Sequence, residues 1–294
     1  MILITGASGQ LGSKTIDHVL KKGIDPSDIT GLVRDPDKGK ELITKGIRLK
    51  KGDYNDHASL VEAFTGISKL LLVSSNDRQA VENRTAHHIN VINAAKEAGV
   101  QHVVYTSFVR KPGYQDSAIA GFQNAHVQSE DYLKSSGIPY TILQNGIYME
   151  MIPVFAGEKV MESGVVVFPA GTGRASYVLR EELAEAAAHV LTTAGHENRI
   201  YPLTNTRSVS FQDIAGGLSA LSGKEIRYQS PAVHDFEAML KSYEVPDQYI
   251  GMFSMWGTAL SQGTMDVEDA TLSRFLGRAP MTVEEFLKTT YTGR

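Results

Sequence analysis

The octapeptide Thr5-Gly6-Ala7-Ser8-Gly9-Gln10-Leu11-Gly12 separates an apolar run, Ile2-Leu3-Ile4, from a stretch in which Ile16, Val19 and Leu20 recur at helical spacing. The apolar run reads as a strand buried on both faces, and the i, i+3, i+4 stripe reads as one face of a helix. A strand that enters a helix through three glycines has few uses. Without side chains at Gly6 and Gly9 the backbone can turn tightly and approach a pyrophosphate, whose charge is met by the helix N-terminus. Gly12 lets that helix pack close to the strand. A triphosphatase P-loop needs four residues between its glycines and a lysine directly after the second. Here five intervene and Ser13 precedes Lys14, which excludes it.

The same alternation continues along the first half. Strands are expected at 29–33, 47–50, 69–74, 102–107 and 140–144, with helices at 13–22, 36–45, 57–64, 80–98 and 122–136. Strand and helix alternating at this spacing imply right-handed crossovers and a doubly wound parallel sheet of Rossmann type, in the α/β class. Past Asn145 the pattern changes to a Val-rich strand, an Ala/Glu-rich helix over 180–191 and a mostly helical stretch over 234–293. The organisation expected is a dinucleotide-binding domain over 1–146, with 176–205 returning to it. A smaller, mixed, mainly helical C-terminal lobe on the substrate side then comprises 147–175 and 206–294.

Composition removes several alternatives. Lys and Arg total 29 against 33 Asp and Glu, a net charge of −4, which lacks the basic footprint a nucleic-acid partner requires. With no cysteine, thiol nucleophiles, disulfide scaffolds and Cys-ligated metals are excluded. His87 and His88 are consecutive and fall on different helix faces, and no His-Glu-x-x-His occurs, so no metal site is expected. No apolar run reaches the ~18–20 residues of a membrane span, and the expectation is a cytoplasmic protein, monomeric or homodimeric.

Cofactor choice turns on the end of the second strand, about 20 residues past the glycine loop, where an acid favours NAD and a cation favours the 2′-phosphate of NADP. The segment reads Leu32-Val33-Arg34-Asp35-Pro36. Asp35 is the competing signal. Arg34 continues directly from the strand and Lys38 adds charge, so guanidinium–phosphate pairing favours NADP(H). Three more strand ends open on the same cleft: Asp53 and Tyr54, positioned for the adenine; Ser74, Ser75 and Asn76; and Thr106 and Ser107. Each of these polar residues could equally cap a helix or close a strand.

Read together, Thr-Gly-Ala-Ser-Gly-Gln-Leu-Gly at 5–12, Leu-Val-Arg-Asp-Pro at 32–36, Gly-Asp-Tyr at 52–54, Lys-Leu-Leu-Leu-Val-Ser-Ser at 69–75, Tyr-Thr-Ser at 105–107 and Asn-Gly-Ile-Tyr at 145–148 resemble the NmrA-like group of atypical short-chain dehydrogenases. Within the group the likeness is strongest to NADPH–quinone oxidoreductases and triphenylmethane reductases. It implies that Gly6, Ala7, Ser8, Gly9, Gln10 and Leu11 hold the pyrophosphate, Arg34 the 2′-phosphate, and Ser74 to Asn76 the nicotinamide-side ribose. Asn145, Gly146 and Tyr148, within a stretch running to Glu150, would line the nicotinamide end. Family members are reductases of quinones or cationic dyes, or NADP-sensing regulators without turnover.

One departure matters. The Tyr-x-x-x-Lys pair of the wider short-chain dehydrogenases is missing from the helix after Ser107, which reads His126-Val127-Gln128-Ser129-Glu130. His126 and Glu130 stand i, i+4 and could form a proton relay or a structural pair. Ordinary ketone chemistry is therefore in doubt, whereas an electrophilic planar acceptor needs only juxtaposition to the cofactor. Asn145 and Tyr148 are the expected acceptor-side residues, by hydrogen bonding and ring stacking. Tyr249, Met252, Phe253, Trp256 and Leu260 follow helical spacing and suit a flat substrate, a core or a dimer face. Alternatives to a quinone or dye reductase are an NADP(H) sensor and a carbonyl or imine reductase using His126 as acid.

Overall fold

Short β-branched and leucine runs form the strands of the computed structural model, which describes residues 1–75, 80–157 and 159–292. In chain order the strands are β1 (Ile2–Ile4), β2 (Ile29–Val33), β3 (Arg48–Lys51), β4 (Lys69–Leu72), β5 (His102–Phe108), β6 (Tyr140–Asn145), β7 (Ile147–Tyr148), β8 (Val165–Val167), β9 (Arg174–Ala175), β10 (Tyr177–Val178), β11 (Arg199–Leu203), β12 (Val209–Ser210) and β13 (Arg227–Gln229). The helices are α1 (Gln10–Lys21), α2 (Lys40–Thr44), α3 (His57–Phe64), α4 (Ala80–Glu97), α5 (Ala120–Ser135), α6 (Ile152–Ala156), α7 (Val160–Ser163), α8 (Arg180–Thr192), α9 (Phe211–Ser222), α10 (Val233–Ser242), α11 (Asp247–Ser261), α12 (Thr271–Leu276) and α13 (Val283–Tyr291). The chain divides into two compact units. The first comprises Met1–Phe108, Asn124–Asn145 and Arg180–Pro202; the second comprises Val109–Gln123, Gly146–Leu179 and Leu203–Arg294.

A single sheet in the order β11-β6-β5-β4-β1-β2-β3 organises the first unit. The neighbours from β3 to β6 all pair in parallel, with Leu3 opposite both Thr30 and Leu70 and Val104 opposite Thr141. This is the doubly wound architecture expected from the alternation. Strands buried on both faces need continuous apolar sequence, and Leu3, Ile4, Leu70, Leu71, Val103 and Val104 are all fully buried. Helices α3, α4 and α5 bring Leu60, Phe64, Val91, Ala95 and Leu133 into one cluster with Leu3, Leu70 and Leu72. On either side of β1 the chain winds in opposite directions, to β2 and β3 one way and to β4, β5 and β6 the other. The carboxyl ends of β1 and β4 therefore bound the crevice in which such sheets take ligands.

One element differs from expectation. The helix anticipated over 36–45 is a 3-10 turn, Pro36–Gly39, followed by the short α2. A Cβ on Gly39 would lie 2.6 Å from Leu49 Cδ1, so this buried glycine sits where the chain crosses β3, and the helix starts only after it.

The second unit pairs very short strands: β7 with β10, β9 with β12 and β8 with β13. Reciprocal caps fix two of its helices, Ser210 with Asp213 at α9 and Thr282 with Glu285 at α13. Phe155 stacks on Phe168 at 4.8 Å between centroids, and Phe211 packs on Phe168 at 4.9 Å, forming an aromatic core. Among the described residues no helix is long and apolar enough to cross a membrane.

Candidate active site

The turn after β1 is built on backbone. Gly6 has φ +57°, the left-handed region that glycine enters without a steric penalty. Its carbonyl accepts from Gly9 N at 2.9 Å, closing the turn. A Cβ on Gly12 would lie 2.3 Å from that same carbonyl oxygen, so α1 can press onto the turn only with glycine there. Ala7 and Leu11 point inward and are buried, while Gly6, Ser8, Gly9 and Gln10 are exposed. Gly9 caps α1 without a side-chain hydrogen bond, and no acid occupies the first turn. Uncapped amides at a helix N-terminus, approached by a glycine turn, match the demands of a pyrophosphate.

Arg34 is exposed immediately beyond β2. Asp35 is engaged elsewhere: its carboxylate accepts from Asp37 N at 3.0 Å and caps the turn Pro36–Gly39. Lys38 is exposed on that turn, its N–H bonded to Asp35 O at 3.2 Å. Asp53 accepts from Asn55 N at 2.9 Å and from Asn55 Nδ2 at 3.1 Å, an Asx turn. The Tyr54 hydroxyl meets Thr5 Oγ1 at 2.5 Å and Val73 O at 2.9 Å, joining the ends of β1 and β4. Burial raises the Tyr54 phenol far above its usual range, against the lowering effects of the Thr5 bond and the Arg34 charge, so it stays protonated.

The loop after β4 is held by three side chains from two elements, β5 and α4. Ser74 N donates to Thr106 Oγ1 at 2.9 Å, Ser75 N donates to His88 Nε2 at 3.0 Å, and Arg84 Nε donates to Ser75 O at 2.8 Å. Asn76 lies outside the described residues. Burial first, then the charges of Arg84 and His87, push the His88 pKa down to about 3, so the ring is neutral. Because Nε2 accepts from an amide, the single proton of His88 resides on Nδ1. It faces Ser129 Oγ at 2.9 Å and Tyr105 Oη at 3.2 Å. Ser129 donates its own proton to Ala125 O at 2.7 Å. Tyr105, fully buried in β5, then donates to His126 Nδ1 at 2.8 Å, which leaves the proton of a neutral His126 on Nε2.

Glu130, also fully buried, accepts from Ser107 Oγ at 2.5 Å and from Gln144 Nε2 at 3.3 Å, with Lys134 Nζ at 3.9 Å. His126 and Glu130 are thus both tied to β5, His126 through Tyr105 and Glu130 through Ser107, with Gln144 of β6 also bonded to Glu130. Asn145 closes β6 opposite Phe108, and its buried Oδ1 has no hydrogen-bond partner among the described residues. A buried amide oxygen in that condition suits a donor from a ligand.

In the second unit, Gly146 N donates to Leu203 O at 2.9 Å, and a Cβ there would lie 2.8 Å from Ser176 O. Tyr148 follows on β7, half-buried. The stripe on α11 divides. Leu260 is core, Trp256 packs edge-on against Phe122 at 5.6 Å, and Tyr249 is 38% exposed. Phe253, at 6.3 Å from Phe155, borders a groove of about 280 Å³ that Phe155, Phe168, Phe236 and Tyr243 also line. Among the described residues no cluster of His, Asp and Glu could hold a metal ion.

From sequence, His88 reads only as a rejected metal ligand and Tyr105 only as part of the Tyr-Thr-Ser stretch at 105–107. The available signal was Tyr105 itself: a phenol in an otherwise apolar, fully buried strand requires a partner for its hydroxyl.

A model of the NmrA-like family matches residues 1–287. Quinone oxidoreductase 2 of Escherichia coli (strain K12) is 38% identical over 285 residues, covering 97% of this chain and 96% of that protein. Among solved structures, an NADPH-dependent quinone oxidoreductase from Escherichia coli complexed with NADPH is similar with a TM-score of 0.91 and 36% identity, over 99% of this chain and 100% of that one. The Citrobacter sp. triphenylmethane reductase complexed with NADP(H) has a TM-score of 0.90 and 34% identity, over 98% of this chain and 99% of that one.

Proposed function

This chain belongs to the NmrA-like family, and from that premise we propose that it is an NADPH-dependent reductase delivering hydride to a quinone or a similarly electrophilic planar acceptor such as a triarylmethane dye. The observation that carries the cofactor half is the pairing of a glycine cradle at the α1 N-terminus with Arg34 at the end of β2 while Asp35 is spent as a cap. The acceptor half rests on the relatives, whose names specify quinones and triphenylmethane.

In this reading the amides of Gly9 to Leu11 take the pyrophosphate, Arg34 with Lys38 takes the 2′-phosphate, and Asp53 and Tyr54 border the adenine. Ser74, Ser75 and Asn76 serve the ribose at the nicotinamide end, with Thr106 and Ser107 closing the neighbouring strand end. Bound NADPH supplies a hydride. The protein's part is mainly positional. Asn145, through its buried amide, orients the nicotinamide end together with Gly146, and Tyr148 offers a ring for a flat acceptor. His126, with its proton on Nε2, can donate a hydrogen bond to an acceptor oxygen. A reaction that draws on a pool of reduced dinucleotide suits the cytoplasm.

Steady-state oxidation of NADPH with quinones, triarylmethane dyes and simple ketones tests the reading. Turnover is expected with the first two and not with ketones. Tight NADPH binding with no turnover on any of them replaces it with an NADP(H) sensor, and turnover of ketones alone replaces it with a carbonyl reductase using His126.

A further inference from the structure

A chain of side chains ties the loop between β3 and α3 to α4. Asn90 Nδ2 donates to Tyr54 O at 2.7 Å, which leaves Asn90 Oδ1 to accept from His57 Nδ1 at 3.0 Å. His57 Nε2 faces a Glu97 carboxylate oxygen at 2.9 Å. Both partners of the ring are acceptors and a neutral imidazole has one N–H, so only the doubly protonated ring makes both bonds. The bond to Glu97 first, and then that to Asn90, raise the His57 pKa above its ordinary 6.5, against the opposing effect of desolvation. The N-terminus of α3 also works against the cation. Around the ring, Asp56 caps α3 through Ser59 N at 3.2 Å, Asp53 accepts from Asn55, and Lys50 of β3 reaches Ala63 O at the other end of α3. His87 of α4 faces Asn55 Oδ1 at 2.8 Å through Nε2, a bond that a neutral and a charged ring make alike.

Tyr54 carries the chain to the crevice. Its hydroxyl meets Thr5 Oγ1 at 2.5 Å and Val73 O at 2.9 Å, and Thr5 Oγ1 in turn accepts from Val73 N at 2.9 Å, a closed set of three bonds. Thr5 immediately precedes Gly6, and Val73 immediately precedes Ser74. One phenol therefore spaces the glycine turn from the loop after β4, two segments so close that a Cβ on Gly6 would lie 3.6 Å from Val73 Cβ. The carbonyl of the same tyrosine hangs on Asn90.

We propose that Tyr54 positions the dinucleotide crevice through its hydroxyl, and that the Glu97–His57–Asn90 chain makes dinucleotide affinity depend on the charge of His57. The inference rests on the dinucleotide reading given above. A neutral ring releases Glu97 or Asn90, and either break loosens the amide that holds the Tyr54 carbonyl. By linkage, affinity is full below the raised His57 pKa and falls as pH rises through it. His57 and Glu97 are both partly exposed, so solvent screens the pair and the effect is modest.

Calorimetric titration of NADPH between pH 6 and pH 9 into the wild type, His57→Gln, Glu97→Gln and Tyr54→Phe decides it. Ionisation of the coenzyme itself is common to all four and cancels in their ratios. The wild type is expected to lose about threefold more affinity over this range than His57→Gln, the scale of a solvent-exposed charge pair. Glu97→Gln should move the midpoint of that loss down toward 6.5, because the carboxylate that favours the cation is gone. Tyr54→Phe keeps the ring and removes only the hydroxyl; it should bind about fivefold more weakly at pH 6, the scale of one hydrogen bond, and follow the pH response of His57→Gln. The two exposed substitutions at His57 and Glu97 provide the measurement if Tyr54→Phe fails to fold. Parallel pH responses of the wild type and His57→Gln overturn the proposal, as does a full pH response in Tyr54→Phe. A wild type that binds no NADPH at any pH overturns the dinucleotide reading itself, and this inference with it.

Discussion

The glycine turn after β1 and the aromatic groove of the second unit offer a ligand different things. The turn presents main chain: exposed Gly6, Ser8 and Gly9, and helix amides with no side-chain cap. The groove presents side chains, with Phe155, Phe168, Phe236 and Phe253 around about 280 Å³. A surface of backbone donors positioned by glycines recognises one fixed group, a phosphate, and admits little variation. A surface of aromatic side chains can be reshaped by substitution without disturbing the chain path. The lesson is that a backbone cradle ties one chemistry to the fold itself, whereas a side-chain surface leaves its chemistry open to substitution.

The sharpest break of that contrast is a methyl group. Gly12→Ala places a carbon where Gly6 O already lies 2.3 Å away, backbone against backbone, so α1 or the turn must move. We expect a loss of about 3 kcal/mol or more in urea unfolding, together with loss of NADPH binding. Retained stability would show the turn to be more pliable than described.

Acid comes next. His88 is neutral in the folded protein, its pKa lowered from 6.5 to about 3, while the unfolded chain protonates it normally. Below about pH 6.5 the unfolded state therefore binds the extra proton, and folded stability falls as pH drops toward 3. This one group contributes a slope of up to about 1.4 kcal/mol per pH unit. His102, His189 and His196, also in the first unit, are lowered in the same direction, chiefly by burial. Urea titrations at pH 7 and 5.5 should show the loss, and His88→Gln should flatten the dependence by one proton's share. An equal slope in that variant contradicts the assigned neutral ring.

The smallest effect has the opposite sign. Gly216 sits exposed within α9 of the second unit, with open space where a Cβ would stand. Gly216→Ala should raise stability by about 0.5–1 kcal/mol and leave NADPH affinity unchanged. A loss of stability there would mean that its surroundings are tighter than the geometry indicates.

How much of this was legible depends on sequence distance. The first unit's strands and the glycine turn were, because period and glycine spacing are local demands of the backbone. The His88–Tyr105–His126 network was not: its members come from α4, β5 and α5, and nothing local to His88 announces Ser75 or Tyr105 as its partner. Nor was the partnership of Glu130 with Ser107, residues that meet only once α5 lies on the sheet. In the second unit, strands of two residues such as β7 and β10 are too short to show a period. The turn at 36–39 resembles a helix in sequence because Pro36 starts a helix as readily as a 3-10 turn; the contact of Gly39 with Leu49 is tertiary.

The claim on which the account depends is that the first unit grips a dinucleotide bearing a 2′-phosphate through Arg34. Calorimetric titration of the wild type and of Arg34→Ala with NADPH and NADH tests it most directly. The account predicts a wild-type preference for NADPH of at least about tenfold, a charge-assisted pair, abolished in the variant with NADH affinity retained. Equal affinities in the wild type, or an undiminished preference in Arg34→Ala, would contradict it.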